Sequence, residues 1–348
     1  MSTTKKVLLM ILIGIIYFVF DTLLQAGYFK SVDNSFKGVE IERYSGIFGP
    51  EDIEWDRERN LIYISATDRR SVNKGEKAVG GIFLLHSNDK NAQPLIMKTD
   101  LATEFYPHGI SVFRVENKTY LYAVNHTSES NTVELFEIIG DFLKHKETYA
   151  GKLMNSPNDV VGDEVGKFYV TNDHGNTSEK GIIAENYLRM PYSYLLYYNG
   201  EEFKKAHEGM VYANGVQLSN DGTKLYASHT TGHEVFVLDR RKSNGLLILK
   251  HTIDFGSGLD NIDVDENDVV WVAAHPKLFD FIAHAKDALV KSPSQFFRMD
   301  LVDKKYKVTK VYENDGSQIS GSSVVVVKND TVFVGCVFDD TILKLRID

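Results

Sequence analysis

Eight side chains able to do chemistry fall within one short recurring motif. It reads PEDI at 50–53, PHGI at 107–110, PNDV at 157–160, ANGV at 213–216, LDNI at 259–262 and SGSS at 320–323, with successive copies 46 to 61 residues apart. The copies supply four carboxylates (Glu51, Asp52, Asp159, Asp260), three carboxamides (Asn158, Asn214, Asn261) and one imidazole, His108. Hard oxygen donors in this number suit Ca2+, which takes about six to eight. Zinc would call for several His or Cys ligands, and non-haem iron for a two-histidine, one-carboxylate face. Four carboxylates gathered at one place would repel one another unless a cation lay among them. Asn and Asp also make tight turns ahead of strands in many proteins. That explains any one motif, but not an acceptor at the same offset in five of six.

Histidine is the second signal. His126, His174, His229 and His275 stand at or near the ends of apolar runs. His108 and His126 are 18 residues apart, about the length of a strand, a turn and a returning strand, so their rings could meet. Neutral imidazole accepts a proton near neutral pH, and a pair can relay one. A lone histidine in a strand is more often only hydrogen-bonded in a core. The sequence has no G-x-S-x-G nucleophile motif and no phosphate-binding glycine loop.

The elements that must position these groups are strands. Each short motif is followed by a polar turn and an apolar run, such as RERNLIYISATD from Arg57, ENKTYLYAVNH from Glu116 and ENDVVWVAAH from Glu266. Six units of about four strands each describe an all-β, six-bladed β-propeller. A parallel α/β barrel would need alternating helices, which are missing. In a propeller the innermost strands start around one mouth of a central channel, so the motif side chains face one another. Ring closure is expected between a strand near 38–42 and the last blade, ending at Leu345. NTSEKGIIAENYLRMPYSYLLYY, from Asn176, carries Ile182, Ile183, Tyr187 and Leu188 at helical spacing. It reads either as a blade-edge helix or as a lid or membrane-contacting face.

The chain has 348 residues, 43% hydrophobic and 25% charged, which excludes a disordered polymer. Cys336 is the sole cysteine, so neither a disulfide within the chain nor a cysteine zinc site is possible. A net charge of −9 argues against nucleic-acid binding. Lys5 and Lys6 precede an apolar stretch, 7–29, that is about 35 Å long as a helix, enough to cross a bilayer. The lysines place the N-terminus in the cytoplasm. The expected division is therefore a hydrophobic helix, 1–30, acting as a signal anchor, and an exported propeller, 31–348, that folds without it. The exported body would be periplasmic or extracellular. A cleaved signal peptide and a secreted protein are the alternative, although no A-x-A cleavage pattern is present.

The longer motifs GPEDIEW, YPHGIS, VNHTSESNTVELFE, PNDVV, YVTNDHG, YANGV, LDNIDV, VWVAAHPK and GSSVVVV occur in that order. With them the chain resembles the serum paraoxonase/arylesterase family, calcium-dependent six-bladed propeller hydrolases, over about residues 38–345. The resemblance implies two Ca2+ ions. Glu51, Asn158, Asn214, Asp260 and Asn261 would hold the catalytic ion. Asp52, Asp159 and the backbone carbonyl of Ile110 would hold a deeper structural one. It makes His108 and His126 the catalytic pair and sets Tyr212, Trp271 and His275 in the substrate pocket. Glu40 and Lys344, within a residue, match the cysteines that tie the terminal strands in animal members. The stretch 68–81 does not match. The implied function is hydrolysis of small-molecule lactones and carboxylic esters, with water activated by the histidines and the carbonyl polarised by Ca2+. The rival readings are a phosphotriesterase on the same site and a non-catalytic exported binding platform.

Overall fold

A computed structural model describes residues 2–89 and 92–347. Six sheets stand around a channel as the blades of a β-propeller, each built on antiparallel strands, with short edge strands added to blade 2 (Lys98–Thr99, parallel) and blade 5 (Ser35–Phe36). The inner strands are Pro50–Asp56, Pro107–Val115, Pro157–Glu164, Ala213–Leu218, Gly258–Val264 and Ser322–Lys328. Each packs against the next, and the sixth packs against the first. Inner strands are covered on both faces, which is why Ser322–Lys328 can carry four valines in a row.

The core is a ring of six clusters, one at each interface between blades. Between blades 6 and 1, Trp55 meets Phe333 edge-on at 5.3 Å. Between blades 2 and 3, Tyr122 meets Phe168 at 4.8 Å. The ring closes as expected: Gly38–Ser45 is the outermost strand of blade 6 and runs antiparallel to Thr341–Ile347. A bulge between Glu40 and Glu42 shifts the register there. Lys344 therefore lies opposite Glu42, 4.0 Å from its carboxylate, while Glu40 pairs with Arg43 at 3.0 Å. The terminal strands thus carry a Lys344–Glu42 ion pair and not one between Lys344 and Glu40.

Helix α1 (Thr3–Gln25) has no buried residue and is long and apolar enough to cross a membrane. Its end is not free of the propeller. Asp21 pairs with Arg189 at 2.6 Å, and the buried Ala26 accepts a hydrogen bond from Leu278 N at 2.9 Å. Gly27 has φ +69, and a Cβ there would lie 1.9 Å from the Pro276 carbonyl oxygen. These contacts join residues 21–27 to the propeller across the boundary expected at residue 30. Helix α2 (Arg69–Asn73) follows the second strand of blade 1. Helix α3 (Glu179–Leu188) begins at a Ser178 cap. Its Ile183, Tyr187 and Leu188 are exposed, and its one buried side chain, Glu185, accepts the backbone N–H groups of Gly175 and Asn176 at 3.0 and 2.6 Å. Helix α4 (Leu278–Lys286) leaves the second strand of blade 5.

Candidate active site

The short motif works through a backbone irregularity. All six inner strands slip register at it: Pro50/Asp52, Pro107/Ile110, Pro157/Val160, Ala213/Val216, Leu259/Ile262 and Ser322/Val324. A bulge bends its strand and re-aims side chains that strict alternation would send to opposite faces. Consecutive polar residues can then serve one channel. Two glycines let the strands close in: a Cβ on Gly109 would lie 2.3 Å from Asp159 Oδ1, and one on Gly215 would lie 2.7 Å from Asn261 Cα.

A cavity of about 390 Å³ opens at the channel mouth, lined among others by Glu51, His108, His126, Asn158, Tyr212, Asn214, Asp260 and His275. Four buried oxygens have no hydrogen-bond partner among the described residues: Glu51 Oε2, Asn158 Oδ1, Asn214 Oδ1 and Asn261 Oδ1. Two of the amides are oriented by their nitrogens. Asn214 Nδ2 donates to Thr230 Oγ1 at 3.1 Å and Asn261 Nδ2 to Glu51 Oε1 at 3.0 Å. An unmet buried acceptor costs about 1–3 kcal/mol, so four together fit a hard cation that would satisfy them. Among the described residues no three Asp, Glu, His or Cys side chains form a metal-binding group by themselves. A cation here would need the carboxamide oxygens as well.

Outside the cavity lining, Asp52 accepts from Ile53 N at 2.8 Å and Ile110 N at 2.7 Å, joining blades 1 and 2. Asp159 accepts from Val160 N and Val216 N, both at 2.7 Å, joining blades 3 and 4. Burial pushes both carboxyls well above the usual range, and neighbouring carboxylates push the same way. Glu51 goes the other way. Burial opposes its charge, but His108, then Arg69 and Asn261, outweigh that and bring it down to about 2.

The two histidines meet as their spacing suggested. His108 Nδ1 lies 3.0 Å from His126 Nε2, and His126 Nδ1 lies 2.7 Å from Asn131 Oδ1. Asn131 is fixed because its Nδ2 donates to Asn155 O at 2.9 Å. The network assigns the protons. His126 Nδ1–H donates to Asn131, so neutral His126 accepts at Nε2 from His108 Nδ1–H. Nε2 of His108 lies 3.4 Å from Glu51 Oε1: protonated, it donates to that carboxylate and holds Glu51 low, and only the neutral ring carries a lone pair there. Burial and the nearby His108 lower the His126 pKa to about 4, which keeps it neutral near pH 7.

His275 lines the cavity and bonds Asp260 Oδ2 through Nε2 at 2.7 Å. Tyr212 lines it in a left-handed backbone conformation, φ +56. Trp271 does not line it. Four residues before His275 on the same strand, it is about 13 Å away, in the core between blades 5 and 6, donating to Asp265 Oδ2 at 3.0 Å. His229 is a core histidine: it packs on Phe236 at 4.0 Å, and burial lowers its pKa to about 3. His174 bonds Asp173 at 2.6 Å and packs against Tyr212.

Sequence reasoning missed Arg69 and Phe281. Arg69 sits 3.6 Å from Glu51 Oε2 and donates to Gly49 O at 3.0 Å and Pro107 O at 3.3 Å, clamping two motif strands. Phe281 of α4 stacks on His275 with ring centres 3.9 Å apart. Both lie in segments inserted between the second and third strands of single blades, where no periodic signal marks them.

The geometry has clear relatives. Residues 50–344 match the family model described as Arylesterase. The chain is 34% identical over 322 residues to human serum paraoxonase/arylesterase 1, covering 88% of this chain and 86% of that protein. It is 33% identical over 271 residues to rat serum paraoxonase/arylesterase 2, covering 74% and 75%. Among solved structures, the calcium-binding protein regucalcin from Agrobacterium tumefaciens aligns with a TM-score of 0.55 at 11% identity, over 91% of this chain and 96% of that one, which supports the fold.

Proposed function

The chain belongs to the arylesterase family, and from that premise we propose that it hydrolyses lactones and carboxylic esters at the channel mouth. Glu51, Asn158, Asn214, Asp260 and Asn261 would hold a catalytic Ca2+, and Asp52, Asp159 and the Ile110 carbonyl a structural one. The observation that carries the reading is the set of four buried oxygens without a hydrogen-bond partner at a site where His108 Nε2 lies 3.4 Å from Glu51. A bound Ca2+ supplies polarisation of a substrate carbonyl and stabilisation of the oxyanion formed from it.

The protein's own groups do the rest. His108 Nε2 takes a proton from water. Its Nδ1–H stays bonded to neutral His126, which Asn131 holds in the accepting tautomer. Tyr212 and His275 wall the substrate in. Asp260, bonded to His275, is the second candidate for base or nucleophile. Helix α1 would tether the enzyme to a membrane with the propeller on the extracytoplasmic side; as a cleaved signal it would release the enzyme instead.

His108→Gln tests the assignment. General-base assistance is worth about 10² to 10⁴ in rate, so kcat should fall by that much with KM little changed. Wild-type turnover in this variant would move the role to Asp260.

A further inference from the structure

Apart from the histidines, Arg69 is the one cation among the described residues that line the channel-mouth cavity. It belongs to the stretch 68–81, which matches none of the longer motifs, so a preference particular to this chain would be written there. The segment is fixed on both sides of it. Asp68 caps α2 by accepting from Ser71 N at 3.2 Å, and Arg70 donates to Phe338 O at 2.9 Å and Asp339 Oδ1 at 3.1 Å. Arg69 Nη1 donates to Gly49 O at 3.0 Å and Thr67 O at 3.5 Å, and Nη2 donates to Pro107 O at 3.3 Å. These carbonyls orient the guanidinium without neutralising it. Its Nε–H has no acceptor among the described residues. The carboxylate paired with it is Glu51, whose Oε2 lies 3.6 Å from Nη2, too far for a hydrogen bond. The side chain is only 13% exposed, and a buried charge short of a partner is costly.

Glu51 Oε2 is also one of the four buried oxygens without a hydrogen-bond partner. With a divalent ion bound there, the charges of Glu51 and Asp260 are matched by the ion. The Arg69 charge is then left over in a cavity of about 390 Å³. After burial and His108, Arg69 also lowers the His126 pKa, so its charge is felt at the histidine pair.

We propose that Arg69 selects substrates that carry a carboxylate, which it binds through the donors the fold leaves unused. The inference rests on the hydrolase reading and narrows it to a substrate class: lactones or esters with an anionic group beside the reacting carbonyl. A guanidinium presents its N–H bonds as a planar fork that matches a carboxylate. A neutral analogue of the same shape leaves the fork without an anion, and discrimination follows from that loss.

The test compares γ-carboxy-γ-butyrolactone with its γ-carboxamide, which has the same size and no charge, on the calcium-loaded full chain in detergent. Wild-type kcat/KM should favour the carboxylate by about ten- to a hundredfold, the worth of a hydrogen bond to a charged group. Arg69→Gln should abolish that ratio, and Arg69→Lys, which keeps the charge without the fork, should fall between. Equal losses on both lactones would leave Arg69 as a clamp of the motif strands and overturn the selectivity. A wild type that treats the two lactones alike overturns it without any variant. A binding readout needs no turnover. Calorimetry should show cyclopentanecarboxylate binding the wild type about tenfold or more tightly than cyclopentanecarboxamide, and Arg69→Gln erasing the difference. A preference that survives in folded Arg69→Gln would assign the carboxylate to the ion alone and refute the proposal. If neither lactone is hydrolysed while cyclopentanecarboxylate binds through Arg69, the hydrolase reading falls and the anion site stands.

Discussion

Replacing Asn131 with alanine should slow the enzyme without touching its substrate. Asn131 lies outside the cavity lining and acts through His126. Its Oδ1 is the acceptor that keeps the proton on His126 Nδ1, and its Nδ2 is anchored to Asn155 O. In Asn131→Ala the His126 ring has no acceptor on that side. The other tautomer then places a proton on Nε2, facing the Nδ1–H of His108 donor to donor. Losing a buried hydrogen bond of this kind costs about 1–3 kcal/mol. At about 1.4 kcal/mol per tenfold, kcat should fall roughly 5- to 150-fold. Asn131→Asp keeps an acceptor at the same place and should recover most of the loss. Steady-state lactone hydrolysis gives kcat and KM, and nitrogen chemical shifts of His126 report the tautomer directly. An Ala variant with wild-type kcat, or an Asp variant as slow as the Ala variant, would refute the relay.

Asp52→Ala and Asn214→Ala should separate stability from turnover. The first strands the Ile110 N–H between blades 1 and 2, at a cost of about 1–3 kcal/mol, and lowers Tm. The second removes a mouth oxygen and lowers kcat in a folded protein; matching effects on melting and turnover would contradict the two roles. Acid should destabilise the fold through its buried histidines. Burial lowers His229 to about 3 and His233 to about 4, both below the ordinary unfolded value of about 6.5. Their contribution is complete above about pH 6.5 and is lost as pH falls toward those values, by up to about 1.4 kcal/mol per pH unit for each. Urea unfolding at pH 7 and pH 5 measures it, and equal stabilities at both would remove these groups from the account.

The propeller was legible because its repeat is written in residue types: an acceptor ahead of an apolar run survives any change of strand register. The bulges were not, because spacing records how many residues intervene and not which of them is skipped. The same blindness moved the Lys344 partner from Glu40 to Glu42. Trp271 was misplaced because nearness to His275 in sequence ignores the rise along a strand. His108 and His126 were found because a hairpin returns residues to one another across a calculable length. Arg69 and Phe281 sit on helices inserted outside the repeat, so only the folded chain brings them to Glu51 and His275. The apolar run of α1 reads the same whether its end is free or docked, and nothing local distinguishes Gly27 from a flexible joint.

Hydrolysis of a panel of γ- and δ-lactones, with the same protein assayed before and after a strong calcium chelator and again after Ca2+ is restored, tests the central claim most directly. The account predicts turnover that vanishes with chelation, returns with Ca2+, and is lost in His108→Gln. A folded, calcium-loaded protein that opens no lactone, or one whose turnover is indifferent to the chelator, would contradict it.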